Sequence, residues 1–189
     1  MRFPFRLLTA IALCLALSMA TQSARAGSGD LVVLTVSGLV SKPNRGPSDA
    51  FGDAFLNALE ERFEKARSFT WGELAALPQE ELELRYPNWP HPVRFRGPAL
   101  ETVLERAGAE GNTVLVQALD GYASSFERTA VGDAGMVLAL EADGRTIPLG
   151  GRGPLWLVFE PGMLDQGGSV EDDAGLVWAV FHIKVTDGE

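Results

Sequence analysis

The stretch Leu31-Val32-Val33-Leu34-Thr35-Val36, closed by Ser37-Gly38, is where the interpretation of this sequence begins. A run of β-branched and aliphatic residues that ends at a Ser-Gly pair predicts a strand. Apolar runs and alternating patterns predict further strands along the rest of the chain. These are 82–86, Thr113–Ala118, Met136–Leu140, Leu155–Phe159 and Leu176–Val185. Strands therefore dominate the prediction, particularly in the second half of the chain.

A stripe of apolar residues between Phe51 and Ala66 predicts the longest helix. Phe51, Phe55, Leu59 and Phe63 recur every four residues, and charged residues stand between them. This spacing is typical of one buried helix face. Ser48 or Asp49 is the predicted cap at its start.

Two shorter segments also predict helices. Thr70 and Glu73 have the spacing of a capping box, and Pro78 ends the segment that follows. Pro98 is the predicted first residue of the other helix, which ends at Gly108. Two or three helices with about eight strands predict a compact α+β domain built on a mixed sheet.

The first 26 residues predict a signal peptide. Arg2 and Arg6 precede the apolar run Leu7–Ala20, which is shorter than the roughly 20 residues that a membrane span needs. Ala24-Arg25-Ala26 fits the small-residue cleavage site of such a leader. We therefore expect residues 27–189 to form a secreted or periplasmic domain with no stable membrane anchor after cleavage. Retention of the leader as an anchor is the alternative.

Charge and cysteine content exclude several classes of protein. The chain carries a net charge of −9, which argues against nucleic acid as a partner. Cleavage after Ala26 removes three arginines and no acid, which makes the charge about −12. The same cleavage removes Cys14, the one cysteine, so we expect neither disulfides nor thiolate metal sites in the mature domain.

Residues for catalysis are few. His91 lies between two prolines and His182 lies in a predicted strand, and no third ligand at suitable spacing suggests zinc. The acidic segment Asp165–Asp173 has Val170 where a calcium loop requires glycine, so we interpret it as a solvated loop. The sequence therefore predicts no catalytic residue and no metal ligand.

The tripeptide Arg-Gly-Pro occurs three times, beginning at Arg45, Arg96 and Arg152. Each occurrence places a permanently charged planar donor beside a glycine that permits close backbone approach. In an acidic protein, convergence of these arginines would form an anion-binding site. The alternative is three unrelated solvent-facing turns.

Several motifs occur in order over nearly the whole mature chain. They are Ser68–Pro78, Phe95–Leu100 with Val103–Gly108, Ala118–Tyr122, Asp143–Pro148, Arg152–Val158, and Val177–Val180 with Ile183–Val185. Together these motifs resemble the oxidoreductase molybdopterin-binding domain family, the sulfite-oxidase-like group. The resemblance implies an α+β domain of the sulfite-oxidase molybdopterin-binding type, and is greatest to the short secreted members.

The sequence departs from this family where the family enzymes bind their metal. Those enzymes hold molybdenum through a pterin cofactor and one cysteine, and the corresponding window, Glu80 to Trp89, contains no cysteine. The leader departs as well, since Arg2 and Arg6 are not adjacent, whereas enzymes of this kind are usually exported folded through the twin-arginine route. The resemblance therefore implies the fold without molybdenum catalysis.

We expect a domain that binds a small, anionic ligand or a periplasmic protein partner in a sensing or accessory role, with no cofactor. The alternative is a molybdopterin-dependent oxidoreductase whose metal has an oxygen or nitrogen ligand from the protein. Arginines offer paired contacts to anions and tryptophans offer flat apolar walls, although core packing is the alternative for the tryptophans. The candidate ligand-binding residues, which would line the cofactor cleft of the family, are Arg45, Trp89, Arg96, Asp120, Tyr122, Arg152 and Trp156.

Overall fold

The computed structural model describes residues 31–163 and 175–188. The predicted leader, its Cys14 and the acidic segment Asp165–Asp173 lie outside the described residues. Within the described ranges, none of the helices has both the length and the apolar composition needed to cross a membrane.

Short helices and strands alternate along the chain. The described residues contain four helices: α1 (Ala54–Ala58), α2 (Trp71–Ala75), α3 (Leu100–Ala107) and α4 (Arg128–Asp133). Their strands are β1 (Val32–Gly38), β2 (Ala66–Thr70), β3 (Gln79–Leu84), β4 (Val93–Pro98), β5 (Thr113–Ala118), β6 (Ala123–Glu127), β7 (Val137–Ala139), β8 (Glu141–Ala142), β9 (Arg145–Thr146), β10 (Trp156–Val158), β11 (Val177–Trp178) and β12 (Val180–Thr186).

The strands form three sheets. The largest has the order β2-β1-β12-β5-β6, and the others have the orders β11-β10-β7 and β3-β4-β8-β9. β1 and β12 pair in parallel, with Thr35 opposite His182, while the other pairs of the five-stranded sheet are antiparallel. The first and last described strands are therefore neighbours at the centre of the fold.

The two faces of the five-stranded sheet are covered differently. On the inner face, Val36, Ile183 and Val116 join the main hydrophobic core. The apolar residues of α3, from Leu100 to Ala107, are buried in the same core. Because side chains alternate along a strand, Thr35, Ser37 and their neighbours on the adjacent strands face the opposite, outer side.

The architecture is mixed α+β, as the composition and periodicity predict. The helices are more numerous than the two or three expected, because α4 is a short segment without an apolar stripe. The capping box of α2 is confirmed: Thr70 Oγ1 accepts from the N–H of Glu73 at 3.1 Å, and Glu73 Oε2 accepts from the N–H of Thr70 at 2.8 Å. The start predicted for α3 is wrong, since Pro98 ends β4 and Leu100 begins the helix; Gly108 ends it as expected, with φ of 67°.

The helix predicted from Phe51 to Ala66 is wrong over most of its length. Only α1 is helical, and Glu60 follows it with φ of 60°, which ends the helical path. Beyond Glu60 the chain forms no regular element until β2 begins at Ala66, and Glu61 and Phe63 are its buried residues. Phe51 is 93% exposed. The four-residue spacing therefore arose from a short helix followed by an irregular segment.

Candidate functional site

Arg152 and Trp156 form the centre of the candidate site. The guanidinium of Arg152 lies over the Trp156 ring, 4.5 Å from its centroid, in a cation–π arrangement. The Trp156 ring is held in place by its own neighbours, since its centroid is 5.0 Å from that of the Phe95 ring and 5.6 Å from that of the Trp89 ring. A charged and exposed side chain thus lies over a closely packed group of aromatic rings.

Trp178 adds an exposed aromatic residue beside this pair. It lies directly opposite Trp156 in the antiparallel pairing of β10 and β11, so both side chains project from the same face. Trp178 is 39% exposed, whereas Trp156 is buried. The candidate list from sequence did not include Trp178, because only the pairing of two distant strands places it next to Trp156.

Backbone hydrogen bonds connect Arg152 to the turn that carries Asp120 and Tyr122. The carbonyl of Arg152 accepts from the N–H of Ala179 at 2.8 Å, and the carbonyl of Ala179 accepts from the N–H of Leu119 at 3.0 Å. Asp120 Oδ1 accepts from the N–H of Tyr122 at 2.9 Å, which shapes the turn. Ala179 has φ of 53°, so the chain bends sharply between β11 and β12 at this junction.

The exposed residues of this end of the molecule are named the Arg152 surface; they are Arg152, Trp178, Asp120 and Tyr122. Tyr122 is 45% exposed. The surface combines a guanidinium, a carboxylate and two aromatic side chains. Such a group of residues can contact an anionic or planar ligand, or an aromatic hot spot of a protein partner.

The two tryptophans predicted as cleft walls are core residues. Trp89 and Trp156 belong to the main hydrophobic cluster, together with Tyr86 and Phe95. Tyr86 donates its hydroxyl to the carbonyl of Phe159 at 3.2 Å. The indole N–H of Trp156 is buried with no hydrogen-bond acceptor among the described residues. The packing alternative therefore accounts for these rings, which support Arg152 from beneath.

Arg96 lies apart from Arg152. Neighbouring residues of a strand point to opposite faces, and Phe95 points towards Trp156. Arg96 accordingly lies on the other face of β4, where Glu141 is 3.7 Å away. This face lines a shallow groove of about 490 Å³ whose charged residues are Glu81, Glu83, Arg94, Arg96, Glu141 and Asp143.

Arg45 lies on a third part of the molecule and has a structural role. Its guanidinium donates to Asp53 at 2.5 Å and lies 5.0 Å from the centroid of the Phe63 ring. The hydrogen bond from Arg45 lowers the pKa of Asp53, and burial of the carboxyl opposes that effect. The structure therefore brings Trp89, Trp156, Arg152, Asp120 and Tyr122 to one end, while Arg96 and Arg45 lie elsewhere.

The glycines of the three Arg-Gly-Pro tripeptides also differ in their surroundings, and Gly97 lies within β4. A Cβ added to Gly97 would collide with the carbonyl of Leu138, and one added to Gly153 would collide with that of Ile147. A Cβ on Gly46 would meet no atom within 4 Å. Close backbone approach thus explains Gly97 and Gly153 but not Gly46, so the three tripeptides do not share one structural role.

A buried polar network on the outer face of the five-stranded sheet was not foreseen. His182 is fully buried between Ser37, 2.8 Å from its Nε2, and Gln117, 2.5 Å from its Nδ1. Burial lowers the pKa of His182 to about 4, Glu61 opposes that shift and Lys184 adds to it. The alternation of side chains along β1 and β5 places Ser37 and Gln117 on one face of the sheet. Polar residues on one face of otherwise apolar strands were the sequence signal from which this network could have been predicted.

The described residues do not fit a molybdenum centre. The window Glu80–Trp89 offers exposed carboxylates on β3, while Tyr86 and Trp89 fill the core beside it. Within the described ranges, no three side chains of His, Cys, Asp or Glu come together as metal ligands. The donor set is thus unlike the soft sulfur ligation that the resemblance implies for the family enzymes.

Neither the scan against protein-family models nor the search of curated proteins found a match to this chain.

Proposed function

We propose that the protein is a secreted or periplasmic domain of the sulfite-oxidase molybdopterin-binding type that binds a ligand or partner without molybdenum catalysis. The ordered motifs along the mature chain support the fold type. The missing cysteine in the Glu80–Trp89 window supports a non-catalytic role. In this proposal, the domain serves a sensing or accessory function.

The observation that carries the proposal is the stacking of Arg152 on Trp156. An arginine that contacts a ring in this way loses less conformational freedom when it binds a ligand than a freely rotating one. In a chain of net charge −9, an exposed cation of this kind is a favourable position for an anion. The exposed rings of Trp178 and Tyr122 extend the contact area beside it.

The chain offers a matched pair of variants for the small-ligand arm. Arg152→Ala removes the stacked guanidinium, whereas Arg96→Ala removes an arginine of the same tripeptide on another face. Thermal unfolding is followed with phosphate, sulfate and citrate at constant ionic strength, since excluded salts stabilise proteins without binding a site. We expect saturable stabilisation of the wild type and of Arg96→Ala, and its loss in Arg152→Ala. An equal response of both variants would contradict the role of Arg152.

The partner arm is tested by photo-crosslinking in the native compartment. A photoreactive residue at Tyr122 is expected to yield a discrete crosslinked product that Arg152→Ala weakens. The same residue at Glu83, on the exposed face of β3, is the control and is expected to yield none. Crosslinking of the same product at both positions would count against the Arg152 surface.

Metal analysis distinguishes this proposal from the oxidoreductase alternative. The mature protein is purified from its native compartment and assayed for molybdenum, and for pterin by fluorescence after acid oxidation. We expect amounts far below one per chain. Stoichiometric molybdenum and pterin would overturn the non-catalytic role.

A further inference from the structure

Residues 48–63 form a loop, here named the strap, that crosses the outer face of the five-stranded sheet. Its two ends are joined, since the N–H of Ser48 donates to the carbonyl of Phe63 at 2.9 Å. Asp53 of the strap accepts from Arg45 at 2.5 Å, and this ion pair fastens the loop to the chain before it. A compact loop with neighbouring ends can move as a unit about its base.

The strap has few apolar contacts with the sheet. Leu56 and Phe63 pack with Ala66 and the partly buried Phe181 in a small cluster that is separate from the main core. Phe55 contacts the Phe181 ring at 5.1 Å but remains 46% exposed. Segments with little buried apolar surface open at a lower free energy than the whole domain unfolds. The strap is therefore the part of this face expected to open first.

The surface beneath the strap is polar and ordered by hydrogen bonds. Gln117 Nε2 donates to Glu61 Oε1 at 2.9 Å, so Gln117 Oε1 faces His182 Nδ1. His182 Nδ1 then donates its proton to that oxygen, and Nε2 accepts from the hydroxyl of Ser37. Lys184 Nζ is 3.0 Å from Glu61 Oε2. Of these five residues only Glu61 belongs to the strap.

Glu61 is thus a buried carboxylate whose partners all belong to the sheet. When the strap opens, it withdraws Glu61, so the ammonium of Lys184 loses its counter-ion and the amide N–H of Gln117 loses its acceptor. Gln117 therefore offers a hydrogen bond to one carboxylate oxygen at 2.9 Å, and Lys184 offers a positive charge 3.0 Å from the other oxygen, which makes no hydrogen bond of its own. An amide donor and a cation on the two sides of one carboxylate both favour a bound carboxylate. With the strap open, water can solvate both groups, and an external carboxylate competes with that water through the charge of Lys184 and the amide donor of Gln117.

We infer that Gln117 and Lys184 form a carboxylate-binding site, that Glu61 occupies it as an internal ligand, and that opening of the strap yields it to a small external carboxylate. This site uses none of the residues of the Arg152 surface and does not depend on the function proposed for that surface. It makes the strap an autoinhibitory segment that competes with the ligand.

Opening is measured by thiol labelling in a Cys14→Ser background. Ser37→Cys places a thiol under the strap, and Ser124→Cys places one at an equally buried position of β6, opposite Val116 on the main-core face. We expect the Ser37→Cys thiol to react at least about tenfold faster, because strap opening costs less than global unfolding. Adding Glu61→Gln is expected to accelerate only the Ser37→Cys thiol. Equal rates at both positions, or equal acceleration, would overturn the inference.

The carboxylate site is measured by chemical rescue. Glu61→Ala removes the internal ligand, and acetate or formate is then added against chloride at the same ionic strength. We expect a saturable rise in melting temperature with acetate in Glu61→Ala. Glu101→Ala, which loses a surface ion pair to Arg128, is the matched control and is expected to respond equally to acetate and chloride. Rescue by chloride as strong as by acetate would overturn the carboxylate site. If Glu61→Ala does not fold, the same titration of Glu61→Gln with acetate and chloride decides the question.

Discussion

Acidification should destabilise this protein through one buried side chain, His182. The imidazole is fully buried and is neutral in the network of Ser37 and Gln117. Burial is the largest cause of its lowered pKa; Lys184 lowers it further, and the nearby Glu61 acts in the opposite direction. An unfolded chain exposes the same imidazole to water, where its pKa is about 6.5.

The size of the effect follows from the two pKa values. The native pKa is about 4 and the unfolded value is 6.5, so the unfolded chain takes up the proton first as the pH falls. Stability is therefore fully present above pH 6.5 and declines as the pH falls from 6.5 towards 4. Because one pH unit corresponds to about 1.4 kcal/mol, His182 should account for a loss of about 3 kcal/mol.

The assay is urea unfolding at a series of pH values between 7.5 and 4, with His182→Gln compared to the wild type. His182→Gln lowers stability at every pH, but its stability should decline less steeply as the pH falls, since the titrating group is gone. His91→Gln removes the exposed histidine and is the control, with a curve expected to parallel the wild type. If the free energies of unfolding of wild type and His182→Gln fall in parallel over this range, the reasoning is refuted.

Variants at three further sites, with their controls, test the fold by chemical denaturation. Gly97→Ala should destabilise the protein by about 3 kcal/mol, since its Cβ would overlap a carbonyl of β7. Gly132→Ala in α4 is the control: its Cβ meets no atom within 4 Å, so stability should be unchanged or should rise by up to about 1 kcal/mol. Similar losses of stability in both variants would contradict the steric argument. Thr70→Ala removes the cap of α2 and should lower the free energy of unfolding by about 1 kcal/mol. Thr70→Ser keeps a cap hydroxyl and should retain most of the wild-type stability. An equal loss in both variants would show that the cap hydroxyl is not the cause. Arg128 donates through two nitrogens to the two oxygens of Glu101, at 2.8 and 2.7 Å. Lysine cannot make this paired contact, so Arg128→Lys should lower the free energy of unfolding by about 1 kcal/mol. Unchanged stability would show that the paired geometry contributes nothing.

Local patterns predicted the elements that depend on neighbouring residues. The strand predicted at Thr113–Ala118 has the observed bounds of β5, and the capping box placed α2 correctly. Both follow from interactions within a few residues, which the sequence displays directly. β6 was missed because Ala123–Glu127 is mostly polar and is held in place by its pairing with β5.

The strap shows why a local pattern can mislead. Apolar residues four apart predicted one helix, but Phe63 lies in an irregular segment and Ala66 begins β2, and both pack in the small cluster with Leu56. The deciding contacts are Arg45 with Asp53 and Glu61 with Lys184. The second of these joins residues more than a hundred positions apart, and no periodicity reveals such a pair.

The candidate site is divided in the same way. The sequence placed arginines beside glycines, and the resemblance to the molybdopterin-binding family selected Arg152, Asp120 and Tyr122 among the candidates as residues of its cofactor cleft. It could not show that Arg96 and Arg45 lie elsewhere, since proximity depends on which strands pair. It also could not place Trp178 beside Trp156.

The sequence by itself determined the α+β composition, the capped helix α2 and the lack of cysteine in residues 27–189, since these depend on residue type and short spacing. The tertiary structure decided which polar residues meet. Ser37, Gln117 and His182 are far apart in the chain, and only the parallel pairing of β1 with β12 and the antiparallel pairing of β12 with β5 bring them into one buried network. Many distant segments could pair as strands, and the free energy that favours one pairing over another comes from contacts that exist only in the folded chain.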